Sequence, residues 1–112
     1  MKIADERATR RAEPDVPSLD EHTAAQVAEL FRALGDASRV RIIAALVDGE
    51  RHVGALAEVV GISESAVSHH LRGLRQLRLL RFRREGRSVF YALADDHVEA
   101  LFRQGLDHVA HG

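Results

Sequence analysis

The chain has no cysteine, which excludes a disulfide framework and any cysteine-based zinc or redox site. It has no apolar run approaching the roughly 18–20 residues that cross a bilayer. Its first residues lack the continuous apolar stretch of a secretory signal. The expectation is a cytoplasmic protein with no membrane partner. Internal repeats and low-complexity tracts are absent. Proline occurs only twice, as Pro14 and Pro17, within a charged opening stretch almost without large apolar side chains. Residues 1–18 therefore read as a flexible arm and residues 19–112 as one domain. A chain of 112 residues supports a single modest core, small enough that a dimer interface would add useful burial.

The net charge of −1 conceals a local imbalance. Between Leu71 and Phe90 stand Arg72, Arg75, Arg78, Arg81, Arg83, Arg84 and Arg87 against a single acid, Glu85. A near-neutral chain with one basic face points to nucleic acid.

Apolar periodicity and cap residues divide residues 19–112 into five helices and a hairpin. A first helix should begin near Ser18 to Asp20, where Ser18-x-x-Glu21 has the capping-box spacing, and run to about Leu34, with Val27, Leu30, Phe31 and Leu34 as its buried stripe. Gly35 ends it and Asp36 can cap the second, whose apolar face is Val40, Ile43, Leu46 and Val47 and which Asp48-Gly49 breaks. A short third helix spans about Val53 to Val60, with Leu56 and Val60 inward. Gly61 turns the chain and Ser63 can cap a fourth, running to about Arg78 on Val67, Leu71, Leu74 and Leu77. Two short helices across a glycine turn are a helix-turn-helix signature. Leu79 to Arg84 and Ser88 to Leu93 then alternate like strands around Glu85-Gly86-Arg87. The expected fold is mainly α with a small β-hairpin: a winged helix-turn-helix of five helices and a two-stranded wing, acting as a homodimer.

In such a fold the first half of the second helix of the motif meets base edges. Ser65, Ser68 and His69 are the candidate base contacts, with Glu64 able to accept from a cytosine amino group and Arg72 beside them. Arg83, Arg84 and Arg87 on the wing would hold phosphate or the adjacent minor groove of double-stranded DNA.

The final helix carries a second pattern: Asp95, His97, His108 and His111, with Val98, Leu101, Phe102, Leu106 and Val109 recurring at helical spacing between them. An offset of eleven residues returns His108 to the face of His97 but separates the two by about 16 Å along the axis, against a zinc–nitrogen bond of about 2.0–2.1 Å. One helix cannot close that site. Two antiparallel copies related by an axis near Phe102 can, giving two equivalent sites per dimer, one ion per subunit. Three imidazoles and a carboxylate suit tetrahedral zinc, with cobalt possible. Taken singly, Asp95 is equally well placed as a helix cap.

The segments "FRALGDASRVRII", "SESAVSHHLRGLRQLRLL", "REGRSVFYAL" and "DDHVEALFRQGLDHVAH" resemble the ArsR/SmtB family of bacterial metal-sensing repressors over nearly everything after about Asp20. The likeness is to zinc-responsive members with a site on the fifth helix, whose ligands correspond to Asp95, His97, His108 and His111. The resemblance implies an apo dimer on an inverted-repeat operator, released by metal so that an efflux or storage gene is expressed. It also implies a hydrogen bond from a ligating histidine to a backbone carbonyl at the position of Arg78. Many relatives have a further cysteine-containing site; the stretch here is "ERHVGALAE", with His52 and no thiol. Nickel- and cobalt-sensing relatives add histidines that do not follow His111 here.

Other readings are a winged-helix regulator without metal response and a sensor of cobalt or nickel. A zinc hydrolase is disfavoured, because a catalytic zinc keeps an open position and no HExxH spacing is present. No enzyme activity and no small-molecule substrate are expected.

Overall fold

The computed structural model describes residues 18–112; apart from Ser18, the expected arm lies outside them. Five helices and three short strands follow in order: α1 (Glu21–Leu34), α2 (Ala37–Leu46), β1 (Arg51–His52), α3 (Val53–Val60), α4 (Glu64–Gln76), β2 (Leu80–Glu85), β3 (Ser88–Leu93) and α5 (Asp96–His111). The hairpin of β2 and β3 is the wing. Gly86, at φ 62°, takes the first central position of its two-residue turn, where a positive φ is needed. The sheet has one strand beyond the expected two, because Arg51 and His52 pair with Tyr91 and Phe90 to give the order β1-β3-β2.

Helix starts follow side-chain caps. Asp36 accepts from the Arg39 amide at 3.1 Å and Ser63 from the Ala66 amide at 3.0 Å. Helix α1 begins within the expected range of Ser18 to Asp20, but its cap is Asp20 and not the Ser18 of the capping-box spacing; Asp20 accepts from the Thr23 amide at 2.7 Å. Helix α4 ends two residues before Arg78, which adopts φ 60° while the Leu79 amide donates to the Leu74 carbonyl at 3.0 Å. This is a Schellman ending with arginine in the left-handed position that glycine usually fills.

The core lies where α2, α3 and α4 meet, with Ile42, Leu56, Val60, Val67, Leu71 and Leu74 fully enclosed. Val98 fixes the first turn of α5 to that core. The rest of the α5 stripe is progressively bare: Leu101 and Phe102 are half-buried, Leu106 is 55% exposed and Val109 81%. The α1 stripe also departs from expectation. Leu30 and Leu34 pack on the core, but Val27 and Phe31 are exposed, the latter by 57%. Val40 is exposed as well, while Ile42, outside the stripe assigned to α2, is enclosed. Phe31, Val40, Phe102, Leu106 and Val109 line one apolar groove of about 470 Å³ between α1, α2 and α5. Burial of those side chains requires apolar surface from outside the described residues.

Candidate functional site

The candidate site residues form two separate sets. On α4, Glu64, Ser65, Ser68, His69 and Arg72 are all exposed and recur at helical spacing, opposite the enclosed Val67, Leu71 and Leu74. All five candidate DNA-contacting residues of α4 thus share one solvent-facing stripe. The Ser63 cap leaves Ser65 and Ser68 hydroxyls uncommitted to the helix start.

The basic residues divide in two. Arg84 and Arg87 on the wing are exposed, with no ion pair among the described residues. Arg83 is engaged on every side. Its Nε lies 2.8 and 3.0 Å from the two oxygens of Glu50, Nη2 also pairs with Glu50, and Nη1 is 2.6 Å from Glu85. Its guanidinium stands 4.7 Å over the Phe90 ring. The Glu50 and Glu85 hydrogen bonds raise the arginine above its ordinary range, and the Arg83 hydrogen bonds hold the Glu50 carboxyl below the usual carboxylate range. A phosphate would have to displace two carboxylates from Arg83, so of the three wing arginines it is the least available to DNA. Arg75 stacks 4.0 Å from the Phe82 ring centroid, and Arg81 Nε donates to the Leu93 carbonyl at 3.2 Å.

The candidate metal ligands fall into two clusters at opposite ends of α5. Asp95 caps the helix, its Oδ1 accepting from the Val98 amide at 3.1 Å, and lies 3.6 Å from His97 Nδ1. The His97 side chain is 97% exposed. At the far end His111 Nδ1 is 2.9 Å from Asp107 Oδ1, and His108 is exposed one turn earlier. Among the described residues of one chain, no three histidine, aspartate or glutamate side chains converge to share an ion. The clusters stay about 16 Å apart, by the rise of the helix over eleven residues. His108 makes no hydrogen bond to Arg78, whose carbonyl accepts none among the described residues.

Two features escaped sequence reasoning. His52 is the cap of α3, its Nδ1 accepting from the Ala55 amide at 3.2 Å, with its ring edge-on to Phe90 at 5.8 Å. Its place just before an apolar helix was the available signal. The second is Arg39, whose Nε lies 3.1 Å from Nδ1 of His70, thirty-one residues away on α4; no local pattern marks such a pair.

A helix-turn-helix with an exposed polar stripe on its second helix and a basic hairpin beside it defines a winged-helix DNA-binding regulator. Residues 36–81 match the model of the family described as "Bacterial regulatory protein, arsR family". The chain is 51% identical over 100 residues to the "Transcriptional repressor SmtB homolog" of Synechocystis, covering 89% of this chain and 74% of that protein. It is 40% identical over 83 residues to a "Cadmium resistance transcriptional regulatory protein CadC homolog" of Staphylococcus aureus, covering 73% and 69%. It also superposes on the homodimeric winged helix-turn-helix DNA-binding domain of a Mycobacterium bovis regulator. That match has a TM-score of 0.70 and 33% identity, covering 84% of this chain and 89% of that one. The chain belongs to the ArsR family, whose members are DNA-binding transcriptional regulators and not enzymes. No helix among the described residues is long and apolar enough to cross a membrane.

Proposed function

We propose that this chain is a metal-responsive repressor. A homodimer binds an inverted-repeat DNA operator in the absence of metal, and zinc at a site shared between subunits lowers that affinity, so that a metal efflux or storage gene is expressed. The observation that carries this reading is the division of Asp95 and His97 from His108 and His111 by the length of α5, along an apolar groove that the described residues leave uncovered. A second copy laid antiparallel along α5 covers the groove and completes both sites at once. The homodimeric relative supports that assembly, and the cadmium-resistance relative supports a metal as signal.

The residues suit zinc. Three imidazoles and a carboxylate supply four nitrogen and oxygen donors, and the exposed His97 and His108 have room to turn. Asp95 uses Oδ1 as the cap, and Oδ2 makes no hydrogen bond among the described residues. When bound, the ion would favour one mutual orientation of the subunits. Asp95 and His97 would act from one subunit, His108 and His111 from the other, and DNA affinity would fall by as much as the metal's affinity differs between the two orientations. His108 could pass the signal through its other ring nitrogen to the Arg78 carbonyl at the end of α4. On DNA, the α4 stripe would read bases while Arg84 and Arg87 hold phosphate.

Fluorescence anisotropy with a labelled operator duplex tests the proposal. Added zinc should weaken binding by about 5- to 150-fold, the ordinary range of allosteric coupling. Unchanged DNA affinity with both sites filled would favour the regulator without metal response. A stronger response to cobalt or nickel at matched occupancy would reassign the metal.

A further inference from the structure

Arg39 reaches from α2 across to α4. Its Nε donates to Nδ1 of His70 at 3.1 Å, and its guanidinium lies against Gly73. A Cβ built on that glycine would stand 2.7 Å from one terminal nitrogen, 3.0 Å from Cζ and 3.1 Å from the other nitrogen. Gly73 is therefore a notch that seats the guanidinium, in a helix interior where glycine is otherwise a poor choice. Arg39 is itself located by the Asp36 cap, which accepts its amide hydrogen. Arg39 and His70 are both half-buried, which shields their hydrogen bond from competing water.

Two consequences follow from the chemistry. Because Nδ1 accepts, it is the unprotonated nitrogen, and neutral His70 carries its proton on Nε2. Val67, Leu71 and Leu74 hold the apolar face of α4 to the core and Arg75 stacks on Phe82, but such contacts attract without sharp direction and resist a small rotation of α4 about its own axis only weakly. A hydrogen bond is directional. The Arg39–His70 bond and the Gly73 seat add a directional constraint on that rotation. The His69 ring lies edge-on to His70, with centroids 5.7 Å apart.

We propose that Arg39 is a positioning residue for DNA recognition, fixing how α4 presents Ser65, Ser68 and His69 to base edges. This rests on α4 being the recognition helix. Base hydrogen bonds depend on orientation, whereas phosphate contacts from long arginine side chains adapt. Arg39 therefore governs sequence discrimination more than total affinity.

The decisive variant is Gly73→Ala. Alanine improves the helix while its methyl displaces only the flexible tip of Arg39, so the thermal midpoint should hold or rise. Anisotropy is read on two duplexes, one selected by the wild-type protein from a random pool and one scrambled. Gly73→Ala and Arg39→Leu should each weaken binding to the selected duplex by about tenfold, the size of one mismatched base pair, and leave scrambled DNA within about twofold. His70→Asn, which keeps an acceptor near Nδ1, should retain most of the discrimination that His70→Leu loses. Imidazole nitrogen shifts should show His70 as the Nε2–H form in the wild type and a mixture in Gly73→Ala. Full discrimination by Gly73→Ala with that tautomer mixed would overturn the role of Arg39. A wild-type protein that selects no sequence from the pool would overturn the DNA-binding reading itself, before any variant is made.

Discussion

Glu50 holds Arg83 through both of its carboxylate oxygens, joining the segment before β1 to the wing at 2.8 and 3.0 Å from Nε. The pair links residues thirty-three positions apart and converts one member of a basic cluster into a fixture of the sheet. The contact is exposed, so its worth lies in geometry more than in stability. It also leaves Arg84 and Arg87 as the wing arginines with no ion pair among the described residues.

Replacing Glu50 by alanine should loosen Arg83 toward DNA, leaving Glu85 as its one remaining carboxylate partner among the described residues. Binding to scrambled duplex should tighten, and the log–log salt slope should steepen by up to about one unit, the increment of one new phosphate contact. The pH dependence has a definite sign. Glu50 is depressed in the folded state by its Arg83 hydrogen bonds, so its contribution is present above the unfolded glutamate range, about 4.3. It is lost as pH falls through the lower folded value. The difference in thermal midpoint between wild type and Glu50→Ala should be flat above about pH 5 and shrink below it. A difference that grows on acidification would contradict the ion pair.

Alanine at Arg84 or Arg87 should weaken binding to selected and scrambled duplexes alike and reduce the salt slope by up to about one unit each. Arg83→Ala should change that slope less, because its charge is already matched by Glu50 and Glu85. Ser68→Ala should instead lower discrimination at one base position by about 1–3 kcal/mol with an unchanged slope. Equal slopes for all three arginine variants would show that the wing does not divide its charges in this way.

The helices were legible because their starts are chemical: Asp36, Ser63 and Asp95 each precede an apolar period, and each accepts from the amide three residues on. Two residues competed at the start of α1, and the Ser18 spacing was outweighed by Asp20, which has the extended backbone a cap requires. Strand β1 is only two residues long and exists through its pairing with Phe90 and Tyr91, so no alternation could announce it. The bare stripe on α1 was misjudged for a different reason. Phe31 obeys the same periodicity whether it faces its own core or another chain. The spacing of the four candidate ligands on α5 was read from the sequence alone, and the structure keeps the two pairs at opposite ends of the helix.

Leu106 and Val109 should matter little to the isolated subunit and greatly to association. Leu106→Glu puts a charge in a groove that a partner copy would dry, an uncompensated burial. Sedimentation equilibrium should show the dimer weakened by more than about a hundredfold, roughly the effect of 3 kcal/mol. The thermal unfolding of the monomer should be almost unmoved. A dimer as tight as wild type would place the interface elsewhere.

Zinc stoichiometry in a mixed dimer tests cross-subunit coordination most directly. One subunit carries His97→Ala and the other His108→Ala, purified by two different tags. Sharing across the two-fold axis strips both histidines from one site and leaves the other with its full set of Asp95, His97, His108 and His111. Titration should then find one site of wild-type affinity and one that is nearly lost, whereas each homodimeric variant has two equally weakened sites. Two equally weakened sites in the mixed dimer would mean that each ion is bound within a single chain.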